Sequence, residues 1–179
     1  MSVNPEFSRR IAIDTIGAGA ATHEIEADAN ERAALAERFD LQALPTLSAR
    51  AEIRREGADI FARGEVYADV TQRCVVTGEP VTDRIEADFD LRFVPEDLPV
   101  GAEEIELSAD ECETMIYTDG AIDLGEAAAQ TMALALDPFP RSANAEAALR
   151  AAGVISEEEA GPFGTLKALR DQLSEKRGD

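Results

Sequence analysis

The chain has 179 residues, enough to bury one substantial core, so a single domain with appendages is expected rather than two full domains. With 17 basic against 37 acidic residues its formal net charge is -20, which excludes a general grip on naked nucleic acid, because affinity for phosphates rests on Lys and Arg displacing condensed counterions. Two cysteines exclude a disulfide scaffold. No run approaches the roughly eighteen apolar residues of a membrane span, and Met1-Ser2-Val3-Asn4-Pro5 lacks the basic and apolar parts of a signal peptide, so the expectation is a cytoplasmic protein away from membranes.

Phe7 to Thr15 and Ala21 to Ala27 read as strands around the loop Gly17-Ala18-Gly19-Ala20, with Ile11, Ile13 and Ile25 turned inward. That Gly-x-Gly lacks a third glycine and opens no helix, so it reads as a connector. Asp28-Ala29-Asn30-Glu31 has an acid at the N-cap and Glu three later, which predicts a short helix carrying Ala33, Leu35, Ala36 and Phe39.

The clearest pattern begins after Pro45. Leu47, Ala49, Ala51 and Ile53 alternate with Ser48, Arg50, Glu52 and Arg54, the period of a half-buried strand. Beyond the turn at Glu56-Gly57-Ala58-Asp59, a long strand places Ile60, Ala62, Gly64, Val66, Ala68 and Val70 on one face, with a bend expected at Gly64. Val81, Ile85, Ala87, Phe89, Leu91 and Phe93 then alternate with polar residues, which predicts three antiparallel strands in a meander. Thr114 to Tyr117 adds a strand turning at Asp119-Gly120, and Asp123 caps a helix whose stretch from Ala127 to Leu136 is apolar nearly all round. The fold class is therefore α+β: an antiparallel sheet or partly closed, barrel-like meander, two packed helices and a C-terminal helical tail. The domain reading is a single α+β domain over 1–140, a mobile linker over 141–160 with a frayed helix at Ala145 to Ala152, and an amphipathic tail helix over 161–179.

Two segments carry unusual chemistry. Residues 93–140 hold 12 acidic residues and no Lys or Arg, most densely around Glu103, Glu104, Glu106, Asp110 and Glu111. Such a run is either a solvated loop or a docking surface for a basic partner. In the tail, Phe163, Leu166, Leu169 and Leu173 recur at helical spacing beside Lys167 and Arg170, which suits docking on its own domain or on a partner. RNA contacts, if made, must be local, and the candidates are Arg50, Arg54, Arg73 and Arg84.

Between two strands, Gln72-Arg73-Cys74-Val75-Val76-Thr77-Gly78-Glu79-Pro80 has the form of a metal-binding turn. A C-x-x-C there would give zinc two thiolates, yet Thr77 occupies the second position, and the strand register puts Cys74 on the apolar face with Val70 and Ala68. A buried small hydrophobe is the expectation for that thiol. Together with Ala121-Ile122-Asp123-Leu124, the run Met132 to Pro138 and the terminal Gly161-Pro162-Phe163-Gly164-Thr165-Leu166, the turn is similar to the YceD family of bacterial and plastid proteins. The positions carrying the likeness are Arg73, Cys74, Thr77, Pro80, Asp123, Leu124, Pro162 and Phe163, and the Cys-Val-Val-Thr form resembles an alphaproteobacterial branch.

The resemblance implies a role in accumulation of large-subunit ribosomal RNA and assembly of the large subunit, and it supplies no established catalytic residues to carry over. Several members carry C-x-x-C at the turn and a second cysteine pair after the long helix, where this chain has Pro138-Phe139-Pro140-Arg141. No metal or cofactor is therefore expected. The leading reading is a non-catalytic factor that binds a basic ribosomal protein or a large-subunit assembly intermediate. The alternatives are a metal-dependent rRNA nuclease using Asp119 and Asp123 to hold magnesium, and an RNA chaperone using the sheet arginines. No feature fixes the oligomeric state.

Overall fold

Alternation of apolar and polar residues becomes a long antiparallel meander in the computed structural model, which describes residues 5–96 and 113–154. The elements in chain order are β1 (Arg10–Ala12), β2 (Ala21–Glu26), α1 (Ala29–Arg38), β3 (Ala43–Glu56), β4 (Asp59–Arg73), β5 (Pro80–Pro95), β6 (Glu113–Tyr117), β7 (Ala121–Asp123), α2 (Leu124–Leu134) and α3 (Ala145–Ala151). The described residues fall into two compact units, one from 5–73, 80–96 and 113–138, the other from 74–79 and 139–154.

In the larger unit the strands run in the order β2-β3-β4-β5-β6, and β1 pairs with β7 in a separate two-stranded sheet. The meander β3-β4-β5 is antiparallel as its sequence predicts, with Leu47 opposite Ala68 and Ala68 opposite Ile85. β6, however, runs parallel to β5, from Leu91 opposite Glu113 to Pro95 opposite Tyr117. The main sheet is thus mixed rather than antiparallel, and it does not close into a barrel. The cause is topological: the chain leaves the end of β5 and returns alongside that same end, which period-two patterning cannot foretell.

One face of this sheet is apolar. Leu47, Ile53, Ile60, Ala62 and Val66 are fully buried, as are Ala128, Ala129 and Met132 of α2. Helix α2 packs against β4 and β5, and its alanines let the helix approach the sheet closely. Burying each of the larger aliphatic side chains contributes about 1.5–3 kcal/mol. Ile11, Ile13 and Ile25 pack partly buried against this core.

Both helix starts form as their sequences predict. Asp28 accepts from the backbone N–H groups of Asn30 and Glu31, and Glu31 accepts from the Asp28 N–H, a complete capping box. Glu31 also takes a bidentate contact from Arg9, whose guanidinium lies 4.7 Å from the Phe7 ring centroid. Asp119 and Gly120 both have positive φ, 53° and 62°, which builds the tight turn between β6 and β7.

Two local expectations differ from the structure. The first strand is confined to Arg10–Ala12, because Ile13–Thr15 coils into a 3-10 turn. At Gly64 the ladder continues unbroken, and the register shift lies instead between Ala43 and Thr46. Gly64 is required by crowding: a Cβ there would fall 2.2 Å from the Arg50 carbonyl oxygen and 2.8 Å from the Phe89 ring.

Candidate functional site

The smaller unit is built around Cys74. Gly78, at φ 74°, lets the chain reverse, so that its N–H donates to the Cys74 carbonyl at 2.9 Å while the Cys74 N–H donates to the Glu79 carbonyl at 2.8 Å. The second strand of chain arrives from far away in sequence: Val75 N–H donates to the Pro140 carbonyl at 2.9 Å. This brings Ser142 N–H to Cys74 Sγ at 3.2 Å, beside Thr77 N–H at 3.4 Å. Around the sulfur, Thr77 Oγ1 donates to Glu79 at 3.0 Å and lies 3.0 Å from Ser142 Oγ, and Asn144 donates to the other Glu79 oxygen at 3.0 Å.

Cys74 is 2 % exposed, as its apolar register leads one to expect, but its surroundings are polar. Burial pushes its thiol up, yet the hydrogen bonds from Ser142 and Thr77 outweigh that and bring it down to about 6. Glu79 is likewise held below the usual carboxylate range, first by Ser142, then by Asn144 and Thr77. Chemically, the turn is a cradle of hydrogen-bond donors around the sulfur.

Zinc does not fit this cradle. A structural site needs four ligands, and among the described residues Cys74 and Glu79 are the thiol and carboxyl that converge here, Thr77 supplying a hydroxyl where a thiolate would be needed. Among the described residues no group of three His, Cys, Asp or Glu could hold a metal ion.

Asp123 and Leu124 mark the start of α2. Asp123 accepts from Gly125 N–H and Glu126 N–H as N-cap, and also from Ser8 Oγ at 2.5 Å and Arg9 N–H at 2.8 Å. A Cβ on Gly125 would lie 2.5 Å from the Phe7 carbonyl oxygen, so the close crossing of the N-terminal segment over α2 requires glycine. Leu124 is fully buried. Asp119 is instead an exposed turn residue, 3.9 Å from Arg10.

The sheet arginines are largely engaged. Arg50 pairs with Glu24 at 3.6 Å, Arg84 with Asp69 at 3.2 Å, and Arg54 pairs with Glu56 while lying over the Phe61 ring. Arg73, exposed at the end of β4 opposite Pro80, has no ion-pair partner among the described residues. Glu103, Glu104, Glu106, Asp110 and Glu111, and Pro162, Phe163, Leu166, Lys167, Leu169 and Arg170, lie outside the described residues.

Sequence reasoning overlooked two features. Ser142 and Asn144 meet the Cys74 turn from 68 and 65 residues away, and nothing local signals that meeting. The solvent face of the sheet also holds an acidic strip: Glu65 faces Asp88 directly across β4 and β5, and Tyr67 faces Glu86. Tyr67 donates its hydroxyl to Glu65, and its own ionisation is pushed up first by that bond. Alternating charges along each strand concealed the strip, because only the pairing register brings like charges together.

No helix among the described residues is long and apolar enough to cross a membrane. No curated protein and no solved structure matches the chain. The family model described as "Large ribosomal RNA subunit accumulation protein YceD" matches residues 62–170, a span that contains the Cys74 turn, the Asp123 cap and α2. Since that match covers more than half of the sequence, the chain belongs to the YceD family, whose name carries a role in accumulation of large-subunit ribosomal RNA.

Proposed function

We propose that this protein is a non-catalytic factor for biogenesis of the large ribosomal subunit, acting in the cytoplasm by binding a basic ribosomal protein or a pre-ribosomal particle and so sustaining large-subunit rRNA. Family membership supports the process. The observation that carries the mode of action is the charge of the exposed sheet face. Arg50, Arg63 and Arg84 are spent on acids of the same sheet, while Glu52, Glu65, Glu86 and Asp88 have no cation paired with them among the described residues. Such a surface favours encounter with a cationic partner and disfavours bare RNA, with the gain expressed more in association rate and partner choice than in raw affinity.

The nuclease alternative finds no geometric support, since Asp123 is consumed by a helix cap and a strand crossing. The chaperone alternative would need Arg50, Arg54 and Arg84 to leave their partners. Co-purification of the tagged protein at low and moderate salt tests the reading. Recovery of a basic large-subunit protein or a subunit precursor, weakened by salt, is expected; recovery of neither under both conditions contradicts it.

A further inference from the structure

Register draws the charges of the solvent face into lines across the sheet. One line runs through Glu24, Arg50, Glu65 and Asp88 of β2, β3, β4 and β5, and the next through Glu52, Arg63 and Asp90. The lines stand two residues apart along each strand, about 7 Å. Between them lies a trough of about 690 Å³, lined by Gly64 and Phe89 and walled by Arg50, Glu52, Arg63, Glu65 and Asp88. Its walls reach into solvent: Arg50 and Arg63 are 66 % and 80 % exposed, and Glu65 and Asp88 are exposed as well.

The two lines differ in where their guanidinium lies. Arg63 stands in register between Glu52 and Asp90 and pairs with Asp90 at 2.8 Å. In the neighbouring line Glu65 faces Asp88 directly, and Arg50, on the other side of Glu65, pairs with Glu24 at 3.6 Å. Like charges directly opposite each other across a strand pair are destabilising. One line away, the chain itself displays the group that would relieve Glu65 and Asp88.

We propose that the trough seats an arginine side chain of a basic partner protein, its guanidinium bridging Glu65 and Asp88. Facing side chains start about 5 Å apart at Cβ, a gap that the planar, five-donor fork of arginine can span, whereas lysine offers a point charge. Charge and ligand number disfavour the other occupants. A divalent cation takes six or more oxygens, and among the described residues no group of three acids, histidines or cysteines could hold one. RNA would set phosphates against the acids, and a second copy of the chain would bring a further net charge of -20. Residues 161–179 of the chain carry four basic and three acidic residues, too even a balance to be drawn there. The inference rests on the reading that the partner is basic, and names the side chain and its seat.

The test titrates the whole protein at physiological salt with a short alanine-based peptide bearing regularly spaced arginines, a lysine twin and a neutral citrulline twin. Binding heat and the carboxyl carbon resonances of Glu65 and Asp88 are the readouts. Saturable binding that shifts those two carboxyls is expected, with affinity about tenfold weaker for the lysine twin and for the variants Glu65→Gln and Asp88→Asn, and none for the citrulline twin. Asp88→Asn should also melt about 1–3 °C higher than wild type, because the facing repulsion is gone, so stability rises as binding falls. Equal binding of the arginine and lysine peptides, carboxyl shifts elsewhere, no binding, or an Asp88→Asn that binds like wild type or melts no higher would overturn the inference. The two levels separate in cells. If a basic ribosomal component co-purifies equally with wild type and with Glu65→Gln/Asp88→Asn, the arginine seat fails and the function stands. If the peptide binds the seat but wild type recovers no such component, the function fails instead.

Discussion

The backbone N–H of Ser142 donates to Cys74 Sγ at 3.2 Å, joining positions 68 residues apart and giving the sulfur its second N–H donor beside Thr77. The turn is thereby closed by hydrogen bonds to a sulfur whose charged form the surrounding donors favour. A depressed thiol contributes stability that is present above its unfolded value of 9.0 and lost as pH falls through the folded value of about 6. In a Cys112→Ser background, ultraviolet titration should show a thiolate midpoint near 6, and stability should rise with pH over that window. Cys74→Ser should abolish the pH-dependent gain. A midpoint near or above 9 would show that burial wins over the hydrogen bonds.

Asp123 separates a structural role from a catalytic one. Asp123→Ala removes the α2 cap and the anchor for Ser8 and Arg9, and should cost about 1–2 kcal/mol in denaturant unfolding. Neither it nor Asp119→Asn should change the fate of precursor RNA incubated with the protein and magnesium. Metal-dependent cleavage lost on either substitution would replace the proposed function with a nuclease.

Gly64→Ala tests the sheet. The added methyl meets the Arg50 carbonyl oxygen, the Ala51 Cα and the Phe89 ring, two of them backbone atoms that cannot swing aside. A loss of about 3 kcal/mol is expected by chemical denaturation. A loss within experimental error would mean that β3 and β5 move apart freely at this level.

Arg38 makes a bidentate contact to Glu126, at 2.7 and 2.9 Å, and also reaches Glu6 at 2.9 Å, tying α1 to α2 and the N-terminal segment. The Glu126 carboxyl is held below its ordinary 4.5, chiefly by Arg38, so its stabilisation is complete above that pH and is lost as pH falls through the lower folded value. Since Arg38 is about a third exposed, Glu126→Gln should cost about 1 kcal/mol at neutral pH and much less in acid. An equal loss at both pH values would assign the effect to packing.

Most of the meander was legible because alternation of Leu47, Ala49, Ala51 and Ile53, and its counterparts, is imposed by burial of a single sheet face. The caps at Asp28 and Asp123 were legible for a similarly local reason, the orphan N–H groups of a helix start. What escaped was set by distance along the chain. The parallel return of β6, the arrival of Ser142 at Cys74 and the facing of Glu65 by Asp88 each depend on a pairing between segments with no shared local signal. The thiol's burial could be read from register, whereas its polar cradle could not.

The most direct test of the account is the ratio of large- to small-subunit ribosomal RNA in cells that lack this protein, with wild type restored as the control. The account predicts a selective fall in large-subunit RNA, reversed by wild type and by Asp119→Asn. A ratio unchanged by removal of the protein would contradict it.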